Sequence, residues 1–285
     1  MRAVGIIFSN IHDKSIPELS RIRTLGSVPY GGRYRLIDFP LSNMVNSGID
    51  TEGIITKSNY QSLMDHVGSG KDWDLARKDG GVIILPPYGN MENSTLYNSR
   101  LEALKGITNF LFRADEDYVV MTDCDAGWRI DYGAVIDFHI KNQADITLVY
   151  KGFYAGITSI QSYYDSSLAL LDKTVRDEIF GDRSVFTKIR DSAPTKYGNA
   201  AVVKNSMIAD GCTIEGEVEN SILFRNVKVG RGSVVRNSIV MQNTVLGENC
   251  TLDAIITDKN VTITDRKTLS GSSNHPFYIG KGIMI

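Results

Sequence analysis

Aliphatic residues recur every six positions along the last third of the chain, from about Ala201 to Ile263, and small or polar residues follow each of them. The hexads begin at Ile208, Ile214, Val229, Val235, Leu246 and Leu252. A period of six is typical of a parallel β-helix, in which each repeat supplies one short strand and a turn. One coil cannot bury its apolar face alone, so the coils must stack. The pattern predicts a β-helix domain over residues 193–285.

Short apolar runs alternate with amphipathic segments in the first half of the chain. The runs predict five strands, at residues 4–8, 52–56, 82–85, 118–121 and 145–150. Apolar residues at helical spacing predict helices at residues 40–47, 59–67, 98–112 and 132–141. Alternating strands and helices form a mostly parallel sheet with right-handed crossovers. We therefore expect a Rossmann-like α/β domain over residues 1–152 and a connecting helical segment over residues 153–192, with its helix at residues 157–171.

Composition and charge narrow the class of protein. The chain has 285 residues, of which 42% are hydrophobic and 22% charged, which suits a globular protein of two domains. A net charge of −2 without a basic patch argues against nucleic-acid binding. The three cysteines lie far apart, which excludes a disulfide framework and a zinc site of the CxxC kind. Cys212 and Cys250 occupy equivalent places in the hexads, so we expect both to pack inside the β-helix.

No stretch of the sequence indicates secretion or membrane insertion. The apolar run near the first residue is too short for a signal peptide and lacks a cleavage-site pattern. No apolar run approaches the length of a membrane span. We therefore expect a cytoplasmic protein.

Several stretches resemble one enzyme family. Residues 31–43 read Gly-Gly-Arg-Tyr-Arg-Leu-Ile-Asp-Phe-Pro-Leu-Ser-Asn and residues 46–49 read Asn-Ser-Gly-Ile, which resembles the glucose-1-phosphate adenylyltransferases, also called ADP-glucose pyrophosphorylases. Residues 55–63, 70–77, 97–104 and 190–194 are similar to the GlgD type within that family. The resemblance implies a nucleotidyltransferase domain joined to a left-handed β-helix. It also implies a regulatory subunit that assembles with a catalytic subunit, in a tetramer, for ADP-glucose and glycogen synthesis.

The loop after the first strand departs from the family. Active relatives carry Gly-Gly-Gly-x-Gly-x-Arg there, whereas residues 8–14 read Phe-Ser-Asn-Ile-His-Asp-Lys. Side chains would crowd the place where a glycine backbone approaches the triphosphate. The family's phosphate-binding lysine aligns with Leu25, which cannot neutralise a phosphate. Two alternatives follow for this loop: His12 or Lys14 replaces the missing phosphate-binding groups, or the loop lies at the surface with solvated charges. We expect no catalytic residue in this chain.

The sequence keeps one of the two aspartates that the resemblance implies for the family's metal site. Asp125 matches the metal-binding aspartate that follows the fourth strand, but the second metal aspartate aligns with Gly156. One carboxylate is a poor site for Mg²⁺, the ion of the family reaction, so we expect no resident cofactor. Asp125 is either a remnant metal or nucleotide position or a loop-capping aspartate. Arg33 and Arg35 are candidate contacts for an anionic effector, or they hold Asp38.

An internal deletion near Gly152 separates this chain from the family. About ninety residues, nearly a small domain's worth, normally lie between the fifth strand and the Gly156 region. They include the sugar-phosphate site and the last strands of the sheet. Without them, the sheet exposes apolar surface and an open strand edge. We therefore expect a weakened N-terminal domain unless a partner covers it.

Two other functions stay open. A weakly active adenylyltransferase with a degenerate site is favoured by Asp125 and the intact stretch 31–43, and opposed by Leu25, Gly156 and the deletion. A hexapeptide acyltransferase would need a catalytic histidine within the coils. The last histidine of the sequence, His275, lies in the tail instead.

Overall fold

The computed structural model describes residues 2–9, 11–87, 97, 99–148 and 155–285. The chain divides into two compact units, each built from separate segments. The first comprises Met1–Val28, Arg35–Ala155 and Glu178–Ile189, and the second Pro29–Tyr34, Gly156–Asp177 and Arg190–Ile285. The domain boundaries expected after residues 152 and 192 stay predictions. Gly152, where the sequence places the deletion, lies outside the described residues.

Eight strands and eight helices precede the β-helix in the described residues. The strands are β1 Ala3–Phe8, β2 Pro29–Tyr30, β3 Tyr34–Arg35, β4 Thr51–Ile55, β5 Gly81–Leu85, β6 Tyr118–Asp123, β7 Ala126–Gly127 and β8 Ala155–Gly156. The α-helices are α1 Pro17–Ser20, α2 Asp38–Asn46, α3 Gln61–Val67, α4 Arg100–Gly106, α5 Thr108–Arg113, α6 Tyr132–Lys141, α7 Ile160–Ala169 and α8 Lys173–Phe180. Single 3₁₀ turns lie at Asp13–Ser15, Leu25–Ser27 and Lys71–Trp73.

The first unit contains a four-stranded parallel sheet in the order β5-β4-β1-β6. On one face, Ile7 and Ile54 pack with residues of α2, α3 and α6. On the other face, Ile6 and Phe8 pack with residues of α4 and α5. Helices on both faces explain the continuous apolar runs of the central strands, because a parallel strand buried on two sides has no polar face. The expected α/β layered domain is confirmed.

The strand expected at residues 145–150 is not formed over its described part, residues 145–148. Ile146 and Leu148 are 80% and 94% exposed, so these two apolar side chains are not packed, although Thr147 Oγ1 lies 2.9 Å from His139 Nδ1. Among the described residues, β6 pairs only with β1, and its other edge carries no strand. A strand gains stability from cross-strand neighbours, and alternating apolar residues do not supply them. The helix expected at residues 98–112 is likewise divided, at Ile107, into α4 and α5.

The second unit contains the β-helix, whose strands are β9 Lys196–Tyr197, β10 Val202–Lys204, β11 Met207–Ile208, β12 Thr213–Ile214, β13 Glu217–Glu219, β14 Ile222–Leu223, β15 Lys228–Val229, β16 Val234–Arg236, β17 Ile239–Val240, β18 Val245–Leu246, β19 Thr251–Asp253, β20 Ile255–Thr257, β21 Thr262–Ile263, β22 Thr268–Ser270 and β23 Phe277–Ile279. They form three five-stranded parallel sheets. Val218, Val235 and Leu252 pair in register at intervals of 17 residues, one fewer than three hexads. The fold is the expected left-handed parallel β-helix.

Side chains stack from coil to coil at the corners of the β-helix. Asn226, Asn243 and Asn260 all have positive φ, which asparagine tolerates better than most residues. The amide of Asn226 donates to that of Asn243 at 3.2 Å, and Asn243 donates to Asn260 at 3.0 Å. The ladder links three coils by polar bonds while the interior is apolar. Cys212 and Cys250 are buried free thiols in that interior, as expected.

Helix α7 belongs to the second unit and begins with a capping box. The Ser159 hydroxyl accepts from the Ser162 backbone N–H, and the Ser162 hydroxyl accepts from that of Ser159. Tyr163 donates to the Pro29 carbonyl at 2.8 Å, which ties the helix to the segment that carries the glycine pair. The helix expected at residues 157–171 is therefore formed, with shorter bounds. In the described part of the chain, no helix combines the length and apolar character that a membrane crossing requires.

Candidate functional site

The candidate site lies where β1 and β6 end, side by side in the sheet. The two strands pair in parallel, with Phe8 opposite Asp123. The loops that follow them therefore leave the sheet at the same edge, which is where ligands bind in open parallel sheets. The loop after β1 carries His12, and the turn after β6 carries Asp125.

Three potential ligand atoms converge at this edge. The His12 Nε2 atom lies 3.4 Å from Asp123 Oδ2 and 3.7 Å from Asp125 Oδ2. One nitrogen and two carboxylate oxygens all lie within 4.8 Å of one another. The side chains of His12, Asp123 and Asp125 are 30%, 20% and 14% exposed, so the group is partly screened from solvent.

Arg100 brings a positive charge to the same place. It is the first residue of α4, whose start is fixed by the Ser99 hydroxyl, an acceptor for the Glu102 backbone N–H at 3.2 Å. The Arg100 Nε donates to Asp123 Oδ1 at 3.3 Å, and its Nη2 donates to Asp123 Oδ2. The same Nη2 lies 3.2 Å from His12 Nε2. A guanidinium of the chain itself thus sits on one of the two carboxylates.

His12 and Asp123 shift each other's pKa. The hydrogen bond to Asp123 raises the pKa of His12 above its ordinary value of 6.5, and the charge of Asp125 adds to this. Burial alone would raise the pKa of Asp123, but its bonds to His12 and Arg100 bring that pKa below its ordinary value. The arrangement therefore favours an ionised Asp123 between two basic groups.

The loop after β1 is held by its own polar contacts. Asp13 accepts the Leu25 backbone N–H at 2.7 Å, and the Ser9 hydroxyl donates to the Ile55 carbonyl at 2.8 Å. The Gly26 N–H donates to the Ser9 carbonyl at 3.1 Å. Leu25, which aligns with the family's phosphate-binding lysine, is buried in the core. These contacts hold a loop that has no glycine in residues 8–14.

The residues present do not fit a Mg²⁺–nucleotide site. Mg²⁺ takes oxygen ligands in near-octahedral geometry and is held by carboxylates together with substrate phosphates. Here an imidazole nitrogen faces both carboxylates, and the Arg100 guanidinium already binds Asp123. A guanidinium and a cation compete for the same oxygens. We therefore derive no catalytic step through Mg²⁺ at this site.

The structure separates the residues that the sequence singled out. Asp125 lies in the cluster. Arg35 is buried elsewhere in the first unit: its backbone N–H donates to Asp38 Oδ2 at 2.9 Å, and its guanidinium donates to the Ser62 hydroxyl at 3.0 Å. Arg33, in the second unit, is exposed, with its guanidinium 5.8 Å from the centroid of the Tyr34 ring. Effector binding by either arginine stays a prediction.

Asp123 and Arg100 were missed as site residues. Two signals in the sequence point to them. Asp123 and Asp125 form an Asp-x-Asp pair directly after an apolar run. Arg100 stands at a helix N-terminus, where the helix dipole disfavours a cation, so a carboxylate partner is expected nearby. His12, the alternative to a solvated loop residue, does contact the cluster.

Comparisons with known families match both halves of the chain. Residues 17–155 match the nucleotidyl transferase family, and residues 191–274 match the family described as GlmU-like, C-terminal hexapeptide. The first range holds three of the four strands of the parallel sheet, β4, β5 and β6, and the second holds the β-helix up to β22.

The relatives come from two groups. The glycogen biosynthesis protein GlgD of Bacillus subtilis (strain 168) is 33% identical over 332 residues, and that of Geobacillus stearothermophilus 35% over 331; each comparison covers 99% of this chain and 96% of the relative. The glucose-1-phosphate adenylyltransferase of Geobacillus stearothermophilus is 27% identical and covers 76% of this chain. The first alignment spans 332 positions and this chain has 285 residues, so at least 47 positions of the alignment have no residue of this chain, which agrees with an internal deletion. The chain belongs to the GlgD family of glycogen biosynthesis proteins.

Proposed function

We propose that this chain is a regulatory, non-catalytic subunit of glucose-1-phosphate adenylyltransferase. In this role it supports the synthesis of ADP-glucose from ATP and glucose 1-phosphate by a catalytic partner. One observation carries the proposal: at the ends of β1 and β6, the basic side chains of Arg100 and His12 contact the carboxylate of Asp123. Basic side chains of the protein lie where the reaction needs a metal ion and a triphosphate.

The charge balance of the cluster supports this reading. Adenylyl transfer needs cationic groups aimed at the phosphates and a metal that bridges them. In this chain the positive charge of Arg100 is paired with the carboxylate of Asp123. The residue that aligns with the phosphate-binding lysine, Leu25, lies in the core. A nucleotide would therefore meet neither the glycine backbone nor the cations that the chemistry requires.

The relatives support a catalytic partner. Geobacillus stearothermophilus has both a GlgD protein and a glucose-1-phosphate adenylyltransferase, and this chain is similar to both. An organism that keeps the two types has a catalytic chain with which a GlgD chain can assemble. We propose a hetero-oligomer of the two, with four chains in all.

The exposed part of the sheet also favours a partner. Val119 and Met121 lie in register with the buried Val4 and Ile6, yet they are 48% and 54% exposed. Apolar side chains beside a strand edge that is unpaired in the described residues are typical of an interaction surface or of an aggregation site. Assembly would bury them.

The test compares ADP-glucose formation by this chain, by the catalytic subunit of its host, and by the two together, with ATP, glucose 1-phosphate and Mg²⁺. We expect no product from the chain alone and a changed rate or effector response in the mixture. Asp125→Asn should leave that effect on the partner unchanged. A matched control adds an equal mass of an unrelated protein to the catalytic subunit.

The alternative function, a weakly active adenylyltransferase, predicts that the chain alone forms ADP-glucose in the same assay. Product from the chain alone, lost in Asp125→Asn, would show a working degenerate site and overturn the proposal. If the chain is silent alone and never co-purifies with or alters the partner, the regulatory role fails. The acyltransferase alternative has no support from the cluster. His275 is exposed, and its backbone pairs with Ser272 in the last turn before β23.

A further inference from the structure

We propose that His12, Asp123 and Asp125 form a binding site for a divalent transition metal of the zinc class, and that such an ion displaces Arg100 from Asp123. The proposal concerns this chain alone, and it leaves the regulatory role unchanged, because an ion bound to the His12 nitrogen does not restore the oxygen-ligated Mg²⁺–nucleotide site. It arises from the mismatch described above: the ligand atoms that do not suit Mg²⁺ suit a metal that accepts nitrogen.

The donor chemistry selects the metal class. Imidazole binds zinc, copper, iron and nickel, whereas sites made of carboxylates and water alone suit magnesium, calcium and manganese. Three protein ligands with one open position are common for zinc in proteins. His12, Asp123 and Asp125 supply one nitrogen and two carboxylates, which is such a set.

The distances suit tetrahedral coordination. Two ligands at 2.0–2.1 Å from a tetrahedral metal lie about 3.4 Å apart, whereas neighbouring ligands of an octahedral Mg²⁺ lie about 2.9 Å apart. The separations from His12 Nε2 to the oxygens of Asp123 and Asp125 are 3.4 and 3.7 Å. The third ligand pair lies within 4.8 Å, and rotation of a partly exposed carboxylate shortens it. The His12 atom that faces both carboxylates is the one that would bind the metal.

Arg100 is a displaceable competitor. Its side chain is 51% exposed, so the guanidinium can turn into solvent without leaving a buried charge unpaired. Asp123 is 20% exposed, and the incoming ion would replace the guanidinium as the partner of its charge. A metal held by three protein ligands gains more than such a pair. The ion would then tie the loop after β1 to the end of β6.

The first experiment titrates Co²⁺ into chelator-treated protein and follows its visible absorption, which is strong in tetrahedral sites. We expect binding of one ion per chain, displacement by Zn²⁺, and no displacement by Mg²⁺ at millimolar concentration. His12→Asn and Asp125→Asn should each weaken binding at least about tenfold, because even loss of an outer hydrogen-bond partner typically costs 10–100-fold. His275→Asn, at an exposed histidine outside the cluster, is the matched control.

A second variant tests the displacement. Arg100→Gln removes the competing cation, and Co²⁺ affinity should rise severalfold, whereas Arg113→Gln, at an exposed arginine at the end of α5, should leave it unchanged. The site is refuted if no single ion binds, or if His12→Asn binds Co²⁺ as the parent does. Displacement by Mg²⁺ refutes the metal class. Weaker binding in Arg100→Gln refutes the competition. Thermal unfolding of each variant without metal shows that it is folded.

Discussion

Glu52, the second residue of β4, is buried in the parallel sheet, and neither of its carboxyl oxygens has a hydrogen-bond partner among the described residues. In register it lies between Gly5 of β1 and Val82 of β5. Burial, together with the charge of Asp50, raises the pKa of Glu52 well above its ordinary value of 4.5. The folded chain therefore holds this proton to higher pH than the unfolded chain does.

This retained proton makes the first unit less stable as the pH rises. Below pH 4.5 both states hold the proton and Glu52 adds no pH dependence. Above it, each pH unit lowers the free energy of unfolding by about 1.4 kcal/mol until the pH reaches the pKa in the folded state. Between pH 5 and 7 the loss amounts to at most about 3 kcal/mol, a large share of the 5–15 kcal/mol that typically stabilises a domain.

Glu52→Gln isolates this effect. The amide fills nearly the same volume and does not titrate, so any cost of burying its N–H groups is the same at every pH. We expect the stability of the variant relative to the parent to rise from pH 5 to pH 7, by at most about 3 kcal/mol. Urea unfolding followed by tryptophan fluorescence measures it, because Trp73 and Trp128, both in the first unit, are the two tryptophans of the sequence.

The control is Glu18→Gln, which removes an exposed carboxylate from the same unit. Its stability relative to the parent should change little between pH 5 and 7. If the difference between Glu52→Gln and the parent stays constant over that range, Glu52 is not protonated in the folded state and the reasoning is wrong. A difference that grows in the opposite direction would mean that a cation pairs with the carboxylate.

Three further outcomes test the β-helix and the open sheet edge. Leu252→Ala in the β-helix interior should lower the free energy of unfolding by about 2–5 kcal/mol, measured by circular dichroism, because the side chain is fully buried. Asn243→Ala should lower the free energy of unfolding by about 1–3 kcal/mol, because alanine disfavours positive φ and the hydrogen bonds to Asn226 and Asn260 are lost. Asn243→Gly should lower it less, because glycine adopts positive φ without strain. Equal losses in the two variants would mean that backbone strain contributes nothing. Met121→Glu at the β6 edge should leave stability within about 0.5 kcal/mol but weaken co-purification with the catalytic subunit; unchanged recovery would place the interface elsewhere.

The most regular parts of the fold could be predicted from the sequence. The hexads imply stacking, because each coil buries its apolar residues only against the next, and Val218, Val235 and Leu252 do stack in register. Helix α6 has the predicted bounds, Tyr132–Lys141. Its start is marked in the sequence by Asp131, whose carboxylate accepts the Ala134 N–H at 3.2 Å. Local signals of this kind need no knowledge of distant contacts.

The parts that the sequence did not predict depend on neighbours far along the chain. Residues 145–148 alternate as a strand does, but a strand needs an edge that accepts it, and periodicity carries no information on that edge. The helix at residues 98–112 keeps one apolar face across Ile107, so its division is invisible in the pattern. Both failures come from the same cause: amphipathic spacing reports which side of a segment is buried, and not which segment it meets.

The contact between Arg100 and Asp123 also joins residues that the sequence pattern does not connect. The energy of this contact decides how the site can be tested. A cation at the first position of α4 opposes the helix dipole by about 0.3–1 kcal/mol, and a half-exposed ion pair returns about 0–1 kcal/mol. The two effects nearly cancel, so the contact of Arg100 with Asp123 contributes little to the stability of the fold. Substituting Arg100 should therefore leave a folded protein. A change in the metal affinity of that variant then reports on the site itself. A core substitution near β1 or β6 would also change the stability of the fold, so its effect on metal affinity could not be interpreted in this way.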